Sequence, residues 1–208
     1  MYTLYWERLS GAIGPQIMLE EIGAGYTKVA VDMAAGEHLG PEYRAVNPAA
    51  QVPALKLPDG RIMAETAAMM IVLGERHPEA QLVPQADDAE RPEFLYWLLY
   101  MAVSGYKTIS RVWHPEQFTT DESANDPIRL KAEEQLTLFF GVLESAIVGN
   151  PYFLSRGFSA LDIYLAMLAA WNGDKEALFQ KNTRVARLCR AVEGRPSYEK
   201  VMHDHRLS

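Results

Sequence analysis

Cysteine is nearly absent: Cys189 stands alone among 208 residues. That excludes an internal disulfide and fits a reducing compartment. Basic charge is also in short supply, with 20 Lys and Arg against 27 Asp and Glu, a net charge of −7. A chain of that sign repels phosphate backbones, and no basic patch offsets it, so nucleic acid is not an expected partner. Long apolar runs are missing. The longest, around Ile163–Trp171, falls well short of the roughly 20 residues that span a bilayer, so no membrane partner is expected. The stretch Met1–Tyr5 has no basic region and no small-residue cleavage site, so it does not read as a secretory signal, and the expected location is cytoplasmic. Nucleotide-binding glycine loops and the G-x-S-x-G elbow of acyl transfer are absent. The five histidines, His203 and His205 included, show no zinc-ligand spacing, so no metal is expected.

What is present is an ordinary globular composition, 49% apolar and 23% charged, enough for one large or two small domains. Residues 2–6 are β-branched or aromatic and predict a short strand. Ile13, Ile17, Met18 and Ile22 share one face at helical spacing, and Gly23 follows as a stop, which predicts a helix over 12–23. Lys28–Asp32 alternates like a second strand, and 33–52 reads as irregular, punctuated by Gly36, Gly40, Pro41 and Pro48. Ala54–Leu57 and Arg61–Ala64 flank Pro58-Asp59-Gly60, which is turn chemistry, and predict an antiparallel hairpin. Thr66–Arg76 follows as a helix that stops at His77-Pro78.

The segment Pro78–Pro92 is rich in Pro, Asp, Glu and Ala and reads as a linker. All that follows predicts helix. Phe94–Trp113 is one long helix and His114–Pro127 a loop. Leu136, Phe139, Phe140, Leu143 and Ile147 form an amphipathic stripe, and Leu161–Trp171 is apolar on nearly every face, as at the centre of a bundle. The expected fold class is α+β: a small mixed sheet with helices over 1–80, a linker at 81–92 and an all-helical domain over 93–208.

Three features carry candidate chemistry. Val52-Pro53 opens a strand after an irregular segment, where a cis bond costs only about 0.5–1 kcal/mol and would leave the Val52 amide free for an extended peptide. An ordinary trans proline at a strand start is the plainer reading. Glu65-Thr66 sits where the hairpin ends and a helix begins; the helix start favours a carboxylate, and Glu65 could pair with an ammonium group. A simple helix cap reads the same way. Ser10, in the loop before the first helix, could donate to a thiolate or serve only as a turn residue.

In this order the three features resemble one family. Gly36-Glu37-His38-Leu39, Val46-Asn47-Pro48, Gln51-Val52-Pro53-Ala54-Leu55 and Glu65-Thr66-Ala67-Ala68-Met69 look like the glutathione-site framework of cytosolic glutathione transferases. Leu4-Tyr5-Trp6-Glu7-Arg8-Leu9-Ser10 resembles the N-terminus of serine-type members, notably the theta class. Ser159-Ala160-Leu161-Asp162, flanked by Phe158 and Ile163, is similar to the capped start of that family's central buried helix. The resemblance implies a thioredoxin-like N-terminal domain with a four-stranded mixed sheet, a helical C-terminal domain and a homodimer. It also implies that glutathione is the co-substrate. Ser10 would stabilise the thiolate, while His38, Gln51, Val52, Glu65 and Thr66 would hold glutathione, with Pro53 cis.

The match has departures. Gly14 stands where serine-type members often carry arginine, and the loop has no cysteine for disulfide chemistry. Tyr5, near the strand end, is the rival to Ser10 as the activating hydroxyl. A small apolar electrophile would meet walls drawn from Trp6, Glu7, Tyr106, Arg111, Trp113 and His114. Conjugation, with peroxide reduction, dehalogenation or ether cleavage as variants on the same thiolate, is one reading. A carrier or assembly module on the same fold is the other.

Overall fold

The computed structural model describes residues 1–207 and divides into two compact units. One holds residues 1–85 together with the chain from Gly194 on, and the other holds residues 86–193. The second boundary differs from the expected division, which placed everything after 93 in the helical domain. Among the described residues, no helix is long and apolar enough to cross a membrane.

In the first unit, β1 (Tyr2–Trp6) is followed by α1 (Ile13–Ile22), β2 (Tyr26–Ala30), α2 (Pro41–Val46), β3 (Ala54–Lys56), β4 (Ile62–Ala64) and α3 (Thr66–Arg76). The sheet order is β2-β1-β3-β4, with β1 parallel to β2 and the other pairs antiparallel. β2 begins two residues earlier than its alternation suggests, because Tyr26 pairs with Tyr2 and the ladder runs in step to Trp6. Within the segment read as irregular, Pro41 opens α2; proline suits a first helical turn, where its missing N–H costs nothing. One side of β1 buries Tyr2, Leu4 and Trp6, while Thr3 and Tyr5 on the other are half-buried. Ile13, Ile17, Met18 and Leu19 of α1 and Met69, Met70 and Leu73 of α3 complete the core. Gly74 is required by close approach: a Cβ there would lie 2.3 Å from a Val83 methyl.

The last helix, α10 (Pro196–Leu207), belongs to this unit. Its start is tied to α1 through Glu21, which accepts from Arg195 Nε at 2.8 Å and Nη2 at 2.6 Å and from the Ser197 hydroxyl. Further along, Lys28 and Gln16 both donate to Asp204, at 2.5 and 2.9 Å. These bonds are the reason the chain end joins the sheet unit, and they connect residues about 175–190 positions apart, which no local pattern signals.

The second unit is helical: α4 (Arg91–Tyr100), α5 (Lys107–Trp113), α6 (Asn125–Ala146), α7 (Ala160–Ala170), α8 (Lys175–Lys181) and α9 (Thr183–Glu193). α4 and α5 join through a π-helical segment, Met101–Tyr106, so the long helix expected over 94–113 is continuous but wider in the middle. Gly105 lies there because a Cβ would come within 2.4 Å of the Phe139 ring. α7 is buried at every position from Ala160 to Ala169. Its start has both halves of a capping box: Ser159 Oγ accepts from Leu161 N–H at 3.3 Å, and Asp162 accepts from Ser159 N–H at 2.7 Å. Asp162 also accepts from Phe153 N–H at 2.7 Å. Burial pushes its carboxyl up to about 7, against the pull of these donors. Cys189 is buried, and burial pushes its thiol far up, so it is an inert core group.

Candidate functional site

Sheet topology decides what meets at the site. β1 and β2 are parallel, so both end at the same side of the sheet. β3 is antiparallel to β1 and therefore begins there, and β4, antiparallel to β3, ends there. The register Tyr5↔Ala54 and Ala54↔Ala64 puts the loop after β1, the residues before β3 and those after β4 side by side. Ser10, Gln51–Pro53 and Glu65–Thr66 thus share one end of the sheet, and the segment after β2, with His38, leaves from the same end.

The Val52–Pro53 bond is cis. The β1–β3 ladder starts at Ala54, so the Val52 amide stands beyond the paired residues. The segment before it is held from behind. The Gln51 carbonyl accepts from Tyr43 Oη at 2.8 Å and Asn47 Nδ2 at 2.7 Å, and Asn47 Oδ1 accepts from Ala49 N–H. Burial pushes the Tyr43 hydroxyl up to about 12, so it remains a donor at neutral pH. Tyr43 had no place among the candidates, and Asn47 was only part of a motif. Their role is supportive, and the sole local trace is an Asn-Pro pair at 47–48.

Glu65 precedes α3 with φ +67°, a left-handed backbone rarely adopted by a side chain other than glycine, and its side chain is exposed. Among the described residues, no side chain caps α3. Thr66, expected to serve the first turn, instead donates its hydroxyl to Gly11 O at 3.1 Å, tying α3 to the loop after β1. The first-turn N–H groups are left to another acceptor. His38 is half-buried on a short helical turn, Glu37–Leu39, and its Nδ1 is buried with no hydrogen-bond partner among the described residues.

Ser10 is half-buried in a tight turn. Its hydroxyl donates to Glu7 O at 2.7 Å and accepts from Ala12 N–H at 3.2 Å. Tyr5 is half-buried on the opposite side of β1 from Trp6 and meets Tyr43 edge-on at 6.1 Å.

The residues offered for a second substrate belong to both units and are described within each. Trp6 is 7% exposed, with His205 edge-on at 4.9 Å and Lys28 over its ring, so it is a core residue and not a wall. The Glu7 carboxylate accepts from Arg8 N–H at 2.6 Å and Met33 N–H at 3.1 Å, which makes it a loop anchor. In the helical unit, Tyr106 packs edge-on against Trp171. Trp113 is 55% exposed, donates Nε1 to Trp171 O at 2.8 Å, and lines a cavity of about 500 Å³ with Phe140, Trp171 and Leu178. Arg111 opens on a different, shallower groove, donating to Gln135 at 3.1 Å beside the Phe118 ring. His114 is exposed next to Glu116. Trp113 and Arg111 therefore do not converge, although they are two residues apart.

His205, which the sequence marks only as a histidine without zinc-ligand spacing, is fully buried. Its Nδ1 accepts from Leu9 N–H at 3.0 Å and its Nε2 lies 3.1 Å from Gln16 Oε1. Burial pushes the imidazole down to about 4, with Lys28 and Arg8 acting the same way and Asp204 opposing. The folded state therefore favours neutral His205. Its contribution is full above the ordinary value of about 6.5 and is lost as pH falls toward 4. Denaturant unfolding at pH 6.5 and pH 5 is expected to show a loss of about 1.5 kcal/mol that His205→Asn removes. An equal loss in the variant would show that other groups carry it.

Among protein families, the glutathione S-transferase N-terminal domain matches residues 12–76. Glutathione S-transferase GstA of Escherichia coli O157:H7 is 28% identical over 169 residues, 81% of either chain. The transcriptional regulator URE2 of Saccharomyces cerevisiae is 27% identical over 152 residues, 70% of this chain and 42% of its own. A glutathione transferase homologue from Sulfitobacter, solved with bound glutathione, superposes with a TM-score of 0.90 at 26% identity, covering 100% of this chain and 99% of that one. With its four-stranded mixed sheet followed by a helical unit, the chain carries a glutathione S-transferase N-terminal domain over residues 12–76 and has the fold of cytosolic-type glutathione S-transferases.

Proposed function

We propose that the protein is a glutathione transferase that binds glutathione at the end of its sheet and activates the thiol for attack on a small apolar electrophile. The observation that carries this reading is the pairing of a Val52 amide beyond the β1–β3 ladder with an α3 that, among the described residues, no side chain caps, both at the same end of the sheet. An extended peptide can add to that amide as a strand would, and its carboxylate can take the first-turn N–H groups of α3. Exposed Glu65, held at positive φ, suits an ammonium group, and His38 Nδ1, with no partner among the described residues, offers one more polar contact. Bound glutathione in the Sulfitobacter homologue supports the ligand.

Chemistry then falls to a hydroxyl. A free thiol has a pKa of about 8.5, so a drop of two units needs roughly 2.7 kcal/mol in favour of the thiolate. One hydroxyl donor to a charged acceptor supplies about 1.5–3 kcal/mol, and a helix N-terminus up to about 1. Ser10 opens the turn into α1 and accepts an N–H from Ala12, which strengthens its hydroxyl as a donor. The hydroxyl hydrogen now given to Glu7 O can turn to another acceptor by rotation about the C–O bond. Ser10 acts as donor, with no general base needed. The thiol gives its proton to solvent water, and the thiolate then forms the new carbon–sulfur bond as the electrophile's leaving group departs with the bonding pair.

Glu65→Ala is expected to weaken glutathione binding about tenfold or more, the worth of one charge-assisted contact. Isothermal titration checks this; an unchanged dissociation constant would refute the assignment of Glu65. The homodimer belongs to the same reading. Tyr96, Leu99, Val103, Leu138 and Val142 are large, exposed and apolar on the helical unit, and Ile62 is exposed on edge strand β4 of the sheet unit, which suits a second copy. The similarity to the regulator URE2 supports a second reading, a glutathione-binding module without conjugating activity.

A further inference from the structure

We infer that His205 is a positioning residue for the Ser10 loop, so that the C-terminal helix α10 sets the geometry of thiol activation. Leu9, next to Ser10, has φ +50° and is largely exposed. A leucine keeps that backbone only where its surroundings over-determine it. The surroundings here come from α10. Leu9 N–H donates to His205 Nδ1 at 3.0 Å, and because an amide N–H can only donate, Nδ1 carries no proton. The proton sits on Nε2 and is donated to Gln16 Oε1 at 3.1 Å. The orientation of Gln16 agrees, since its Nε2 donates to the Asp204 carboxylate at 2.9 Å. One imidazole thus bonds the loop just before Ser10 and the helix α1 that follows it. Arg8 adds a second clamp by donating to Arg206 O at 2.8 Å and His205 O at 3.4 Å. Lys28, Asp204 and Arg8 are the charged groups around the ring. All of these contacts lie within the sheet unit.

The inference rests on Ser10 as the thiolate donor, and its test separates the two. Asparagine places an amide oxygen where Nδ1 lies, keeping the bond to Leu9 and losing Gln16. Glutamine places its amide where Nε2 lies, keeping Gln16 and losing Leu9. The thiolate absorbance of bound glutathione is titrated in the full-length wild type, His205→Asn, His205→Gln and Ser10→Ala, with kcat and KM for glutathione measured on a standard aryl halide. The expected result is a bound-thiol pKa raised by about one unit in His205→Gln, with kcat about tenfold lower and KM little changed, and most of both restored in His205→Asn. Equal effects of the two variants would overturn the inference, leaving His205 as core packing. Failure of His205→Gln to move the thiol while Ser10→Ala does would overturn it as well. A wild-type thiol no more acidic than free glutathione, unmoved by Ser10→Ala, would instead remove the Ser10 reading, and the inference with it.

Discussion

Ser10→Ala is expected to lower kcat/KM for conjugation about tenfold to a hundredfold, with the affinity for glutathione held within about twofold. The size follows from removing one hydroxyl donor to a charged sulfur, about 1.5–3 kcal/mol. The split follows from where Ser10 stands. The residues proposed to hold glutathione lie on the segments before β3, after β2 and after β4, whereas Ser10 lies in the loop after β1. Alanine also loses the bonds to Glu7 O and Ala12 N, but the loop keeps its ties to Thr66 and His205. Tyr5→Phe is the control. The Tyr5 ring packs edge-on against Tyr43, and phenylalanine keeps that contact, so the rate is expected to stay within about twofold. Steady-state kinetics on both variants decide the matter: loss of rate in Tyr5→Phe but not in Ser10→Ala would reverse the assignment.

Asp162→Ala is expected to cost about 4 kcal/mol of unfolding free energy. The carboxylate accepts from the buried N–H groups of Phe153 and Ser159, both at 2.7 Å, and from the Ser159 hydroxyl at 3.0 Å. Removing it leaves two buried backbone donors unpaired at about 1–3 kcal/mol each and takes away half of the capping box. Nothing nearby can relax to water, because every residue from Ser159 to Ala169 is buried. Urea unfolding followed by circular dichroism measures the effect. A loss under about 1 kcal/mol would mean that the capping box is not what holds the start of α7.

The division between what could and could not be read in the sequence follows contact range. Elements built from local signals were legible: the hairpin around Pro58-Asp59-Gly60, the helix ending at His77-Pro78, and the capped, wholly apolar α7. The cis bond at Val52–Pro53 agrees with the family resemblance. What escaped depends on distant partners. α10 looked like one more bundle helix because Glu21, Gln16 and Leu9, which bind it, lie about 175–196 residues away. Trp6 looked like a pocket wall because its burial comes from His205 and Lys28, neither of which is near it in sequence. Arg111 and Trp113 looked like one constellation, but residues two apart on a helix face different directions. Thr66 was read as a cap because Gly11, its actual partner, has no side chain to mark the contact.

The central claim is that this sheet end lowers the pKa of a bound glutathione thiol. The direct test is a pH titration of thiolate ultraviolet absorbance with glutathione saturating the wild-type protein. The account predicts a midpoint about two units below that of the free thiol. A bound thiol that titrates where free glutathione does would contradict it and favour the non-catalytic module.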